Sequence, residues 1–202
     1  MATTTIDSDT ELSAVNSILG SIGQAPITTL NFTNPEIAFI YNILSEVNKD
    51  VQNEGWHFNT EEHVPQDAGT NIPIPSTYLR FDVHDGQGDR TLDVVQRDGK
   101  LYDKVNHTFT FDDDLLMDIT YLLTFEDIPS VFQRYVISRA ASRAAAQLVS
   151  NPQLVQLLQT QEAQARASCI EYDTQQGDHN YLGLNHNVAN YQTYQPFRAL
   201  IR

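Results

Sequence analysis

The stretch NILSEVNKDVQNEGWHFNTEEHV, residues 42–64, changes its period in the middle. Leu44, Val47 and Val51 fall three or four residues apart, the spacing of one helix face. Gly55 ends that helix. From Trp56 onward, WHFNTEEHV alternates as a half-buried strand does. The chain passes from helix to strand here, and the fold class depends on what lies on either side.

Upstream the pattern is helical. The helix opens at Asn34-Pro35-Glu36: a cap residue, proline at the first helical position, then an acid in the first turn. Ile37, Ile40 and Tyr41 extend its apolar stripe. Before it, TELSAVNSILGSIGQAPITTL (residues 10–30) predicts a first helix from about Asp9 to Ile22, with Leu12, Val15, Ile18, Leu19 and Ile22 on one face. Thr10 or Asp9 caps it, Gly23 suits the left-handed position beyond its end, and Pro26 prevents resumption. A helix this short is marginal alone in water, so it needs partners.

Downstream, strands and turns run from Trp56 to Phe125. DAGTNIPIPSTY reads as loop or edge, and DVHDGQGDRTL contains a Gly-rich turn. DVVQRDGKLYD is the best hairpin signal, because Asp98-Gly99 suits a type I′ turn between two apolar arms. HTFTFDDDLLMDITYLLTF predicts two strands separated by an acidic turn, with the apolar run Ile119–Phe125 as one of them. Helical spacing then returns. A third helix is expected from about Pro129 to Val149, with Val131, Phe132, Tyr135, Val136, Ala140, Ala144 and Leu148 inward. Its AASRAAA segment permits close helix approach. Asn151-Pro152 opens a fourth helix to about Gln176, with Leu154, Leu158, Gln161, Ala165, Cys169 and Tyr172 on one face and Gly177 after it.

The expectation is an α+β fold. An antiparallel bundle of about four helices forms the core, a small antiparallel β-sheet or barrel is inserted, and an extended C-terminal tail follows. The boundaries read as 1–55 and 127–176 for the two helical halves, 56–126 for the β insertion and 177–202 for the tail.

Composition narrows the function. The net charge is −14 over 202 residues. Residues 61–127 carry fifteen acids against five bases, whereas residues 128–202 carry four acids against six bases. Such a chain lacks the clustered Lys and Arg that neutralise phosphates, although an acidic wall lets DNA pass without adhering. There is no run of about 18 apolar residues to span a membrane. The opening MATTTIDSDTE lacks a basic and an apolar region, so no signal peptide is expected. One cysteine, Cys169, excludes an intrachain disulfide framework and fits a reducing cytoplasm.

No catalytic constellation emerges. Walker-type, GxSxG, CxxC and HExxH motifs are absent. Six histidines (57, 63, 84, 107, 179 and 186) are scattered, with no helical pair and no metal set. Asp112-Asp113-Asp114 lacks the glycine and terminal glutamate of a calcium loop and reads as a solvated turn, as does Asp85-Gly86-Gln87-Gly88-Asp89. Cys169 reads as a core thiol, and Trp56-His57-Phe58 as an aromatic anchor. No cofactor, metal or catalytic residue is expected. The final segment, GDHNYLGLNHNVANYQTYQPFRALIR, has no helical period but carries spaced anchors. Tyr181, Leu184, Tyr191, Tyr194, Phe197, Arg198 and Arg202 are candidate partner-binding residues, because such a segment can order against a neighbour.

These residues carry a resemblance. ELSAVNSILGSIGQAPITTL and NILSEVNKDVQNEGWHFNTEE resemble the tail tubular protein A family, the head-to-tail adaptors or gatekeepers of short-tailed podovirus-type phages. RDGKLYD, EDIPSVFQRYVISRAASR and QEAQARASCIEYD are similar to later parts of that family. The resemblance covers most of residues 11–175 and is weak over 64–95 and the last 25. It implies a homo-oligomeric ring, twelve-fold in this family, between the portal protein and the tubular nozzle (tail tubular protein B). Tail fibres attach at the junction, DNA is ejected through the channel without specific binding, and the location is the virion tail. The family offers no catalytic residue to carry over. Two other classes stand beside the ring subunit: a tail-associated polysaccharide hydrolase, for which the 26 acids give no specificity, and a regulatory binding module.

Overall fold

The computed structural model describes residues 10–84, 92–149 and 151–177. The chain divides into two units. One comprises the residues up to Asn59 together with Leu122–Asp173, and the other is built on Thr60–Tyr121.

Helices α1 (Glu11–Ser21), α2 (Pro35–Gln52), α3 (Ser130–Leu148) and α4 (Pro152–Gln176) make up the first unit. Their starts follow from the caps. The Thr10 hydroxyl accepts the Ser13 amide at 3.3 Å, Asn34 Oδ1 accepts the Glu36 amide at 3.0 Å, and Asn151 Oδ1 accepts the amides of Gln153 and Leu154 at 3.1 and 3.3 Å. Gly23 and Gly55, beyond the ends of α1 and α2, take φ of +81° and +78°, a conformation glycine adopts without cost. α1, α2 and α3 bury their facing stripes in one core. Val15, Ile18, Ile40, Leu44, Val47, Phe132, Tyr135, Val136 and Ala144 all lie within it.

Two helix positions differ from the sequence reading. Leu148 and Gln161, expected inward, are exposed. Leu148 sits in the last turn of α3, beyond the part of the helix that α1 and α2 cover. On α4 only Leu158, Ala165 and Cys169 are buried, so the four helices share their burial unequally.

Three side-chain amides tie the loops down. Asn16 donates to the Ile27 carbonyl at 2.9 Å and accepts the Ile27 amide at 2.7 Å. Gln52, wholly buried, does the same for Leu123, at 3.0 and 2.8 Å. Asn59 accepts the Trp56 amide and donates to the Gln52 carbonyl. Each amide stands in for a neighbouring strand, giving lone backbone groups the donor and acceptor they need. Gln52→Ala is expected to cost about 1–3 kcal/mol in urea melts, because it leaves both Leu123 backbone groups without their partner. A loss below about 0.5 kcal/mol would show that water replaces the amide there.

Among the described residues the second unit holds three small antiparallel sheets, which do not close into a barrel. Strands β1 (Thr60–Gln66), β7 (Leu115–Tyr121) and β3 (Tyr78–Val83) form one sheet in the order β1-β7-β3. β2 (Gly69–Thr70) pairs with β6 (Thr110–Phe111), and β4 (Val94–Arg97) pairs with β5 (Lys100–Asp103). The β4–β5 hairpin turns at Asp98-Gly99, whose φ of +53° and +72° match the two positive values of a type I′ turn. In β7, Leu115, Met117 and Ile119 point inward with period two, against Ile72, Leu101 and Phe111. The strand predicted at Ile119–Phe125 therefore begins and ends earlier. The apolar run after Tyr121 belongs to a different core: Leu123 packs against, and Phe125 lies buried within, the helical unit. The Gly-rich turn at 85–91 lies outside the described residues.

Candidate functional site

The aromatic anchor at the end of α2 is the centre of the helical unit. Trp56 is 7% exposed, its indole N–H donates to the Val51 carbonyl at 2.7 Å, and its ring meets Phe132 edge-on at 4.9 Å. Phe58 packs on the same Phe132 at 4.6 Å, while His57 stays exposed. Cys169 is fully buried, with its Sγ–H directed at the Val131 carbonyl at 3.4 Å. Burial pushes its thiol up to about 12; Glu54 and Asp173 add to this and Arg166 opposes it. A thiol held protonated is no nucleophile, which agrees with the core reading.

Beside this core, an ion network fastens α4. Glu54 receives Arg139 Nη1 at 3.2 Å and both Nη atoms of Arg166 at 3.1 and 3.0 Å. Tyr135 Oη accepts from the same two arginines at 3.3 and 3.0 Å. Arg143 reaches Asp50 at 3.0 Å and Glu46 at 3.6 Å. The bases that give the C-terminal third its positive balance are thus partly spent on α2, and among the described residues they do not form a phosphate-binding stripe.

The other end of α4 is different. From Pro152 to Glu162 it buries only Leu158, and it leaves Leu157 56% exposed. Leu148 at the end of α3 is 44% exposed. Between the two helices lies a groove of about 650 Å³ lined by Ala146, Val149, Asn151, Pro152, Val155, Gln156 and Gln159. This is an apolar surface with no occupant within the described residues. It has no carboxylate, thiol or histidine and so offers no chemistry; what it offers is contact area.

A cleft for glycoside hydrolysis does not appear among the described residues. The cavity between Glu11, Tyr41, Ser45 and Asn48 is about 40 Å³, room for about one water. Its one carboxylate, Glu11, accepts the Tyr41 hydroxyl at 3.0 Å. Asp112, Asp113 and Asp114 are exposed in the turn between β6 and β7, and Asp114 accepts the Ala68 amide at 2.8 Å. All seven candidate anchors (Tyr181, Leu184, Tyr191, Tyr194, Phe197, Arg198 and Arg202) lie outside the described residues, as do His179 and His186.

One grouping escaped the sequence reading. Of the histidines taken as scattered, His63 and His84 lie together against Asp118. They come from β1, β7 and the residue that follows β3, so linear spacing carried no sign of it. The only local hint was Glu62-His63 interrupting the alternation of β1.

A family model described as tail tubular protein matches residues 12–179. The chain is also 31% identical over 120 residues to tail tubular protein A of Klebsiella phage KP34. That alignment covers 59% of this chain and 62% of the relative, so the chain spans about three fifths of the length of the curated relative it matches.

Proposed function

Because the chain belongs to the tail tubular protein family, a family of phage tail structural proteins, we propose that it is a head-to-tail adaptor. In this reading it is one subunit of a ring that joins the portal to the tubular nozzle and forms part of the DNA ejection channel. The observation that carries the reading beyond the family is the outer face of α4. A 25-residue helix that buries three side chains, leaves Leu157 exposed on one flank and borders an apolar groove on another is shaped for a neighbouring copy. Its Gln-, Ala- and Leu-rich sequence keeps it helical while that face waits for a partner. Membership of a family of phage tail structural proteins favours this over a tail-associated hydrolase.

The acidic balance fits the channel. The segment 60–121 carries thirteen acids against five bases, a field that repels duplex DNA in transit. Portal, nozzle and, at their junction, tail fibres are the partners in this reading, and twelve is the ring number of the family. The direct test is to incubate purified chain with portal rings and image the product. Rings capping the portal are expected. A monomer that ignores the portal but degrades a capsular glycan would overturn the reading in favour of the hydrolase.

The segment after Gly177 is the proposed fastener. Fully extended, its 25 residues reach roughly 80 Å, enough to cross a neighbouring subunit. Tyr181, Leu184, Tyr191, Tyr194 and Phe197 would seat in a partner's groove or along its sheet edge, with Arg198 and Arg202 on partner acids. Removing residues 178–202 is expected to leave the urea melt of the monomer unchanged within about 0.5 kcal/mol and to abolish capture by portal rings. Normal capture by the shortened chain would reject the fastener. A large loss of monomer stability would show instead that the segment folds back on its own subunit.

A further inference from the structure

We infer that His63, His84 and Asp118 form a binding site for a divalent transition metal of the zinc type. Three strands converge to make it. Asp118 lies on the central strand β7. On one side, β1 pairs regularly at Glu61 with Ile119 and again at Val64 with Met117, so Glu62 and His63 together face Asp118 across a bulge. His63 takes φ of +60° at this bulge, a left-handed conformation that disfavours residues with a Cβ. That conformation aims the His63 amide at Asp118 Oδ1, 3.0 Å away. On the other side, β3 pairs Asp82 with Asp118 and Val83 with Met117, and the next residue is His84. Its Nδ1 lies 2.9 Å from Asp118 Oδ2 and 3.2 Å from Oδ1. The two imidazole rings stand 3.6 Å apart between centroids, at 43°.

The donor set selects the ion. Two imidazoles and one carboxylate suit zinc and its neighbours, whereas calcium and magnesium prefer oxygen ligands throughout. The three ligand atoms lie within 4.8 Å of one another. Tetrahedral bonds of about 2.0–2.1 Å place ligand atoms about 3.3–3.4 Å apart. The His84–Asp118 edge, 2.9 Å long, therefore opens slightly as the metal takes the place of the bridging proton. His63 is exposed, so its ring is able to rotate inward. The amide bond from His63 anchors the Oδ1 side of the Asp118 carboxylate, the supporting contact that ligating carboxylates commonly have. Three protein ligands leave a fourth position for water.

A metal here would tie β1, β7 and β3 together at one point and stabilise the sheet by binding only its folded form. This does not depend on the adaptor reading and is tested without a ring. The full chain, without a polyhistidine tag and stripped with a chelator, is titrated with Zn²⁺ by calorimetry and with Co²⁺ by visible absorption. One equivalent is expected, with a cobalt spectrum of low coordination number and a raised melting temperature in zinc. His63→Ala and His84→Ala should each weaken binding by about tenfold or more, a loss of the order seen when a metal site's supporting contacts are removed. His57→Ala, which changes an exposed histidine of the helical unit, should leave binding unchanged. If His84→Ala fails to fold, the exposed His63 carries the test alone. No uptake by the native chain, or one-equivalent binding that survives His63→Ala, overturns the site and leaves a proton-bridged His84–Asp118 pair.

Discussion

Phe132→Ala is expected to lower the stability of the monomer by about 3–5 kcal/mol in urea melts, the largest loss of any single truncation considered for this chain. Phe132 is wholly buried. Its ring lies 4.9 Å from Trp56, 4.6 Å from Phe58 and 6.1 Å from Tyr172. It therefore joins α3 to the turn after α2 and to the last part of α4. All three partners lie at least 40 residues from Phe132 in sequence, so no local rearrangement fills the space, and the cavity term adds to the lost transfer energy. The matched control is Leu148→Ala on the same helix, expected to change stability by less than about 0.5 kcal/mol because Leu148 is 44% exposed. A loss at Phe132 below about 1 kcal/mol would mean that the three aromatic partners repack around the gap. Equal losses at the two sites would mean that the end of α3 is covered in solution by something other than the residues around it.

That pair of positions also shows what the sequence carried. Helix starts were legible because Thr10, Asn34 and Asn151 are local devices: each cap bonds amides within three residues. The Asp98-Gly99 turn was legible for the same reason. Which face of a helix is covered, and for how many turns, is a tertiary matter. Leu148 and Gln161 continue their stripes correctly, but both stay exposed among the described residues. The run from Ile119 to Phe125 looked like one strand because hydrophobicity does not say which core receives each residue. Ile119 serves the sheet and Phe125 the helices, with the break at Tyr121 and Leu122. Asn16, Gln52 and Asn59 were invisible as clamps, since their partners lie up to 71 residues away. The grouping of His63 with His84 and Asp118 depends on a bulge and on two strand registers, neither of which composition or spacing encodes.

Leu157→Glu is expected to abolish assembly on the portal while leaving the isolated subunit intact. The side chain is 56% exposed, so in the monomer the carboxylate sits in water, and the change in stability should stay within about 0.5 kcal/mol. At a subunit boundary the same carboxylate would lose its water against an apolar surface and find no partner. Loss of an anchor that is a hot spot costs about 2 kcal/mol or more per interface, and an unpaired buried charge adds to that. In a closed ring the interface repeats at every subunit, so the penalty multiplies and the ring fails rather than loosens. Leu157→Lys should behave alike, because the cost lies in desolvation and not in the sign of the charge. Mass photometry with portal rings reads the outcome directly. If only the glutamate fails and the lysine assembles, the neighbour presents acids, and this face is held by charge rather than by apolar contact. If both variants assemble normally, the outer face of α4 is not the contact, and attachment rests on the segment after Gly177 alone. If both chains lose stability as monomers, Leu157 belongs to the fold. The deletion of residues 178–202 then separates the two surfaces: loss of capture in that chain with retention in Leu157→Glu assigns the grip to the tail, and the reverse assigns it to the helix.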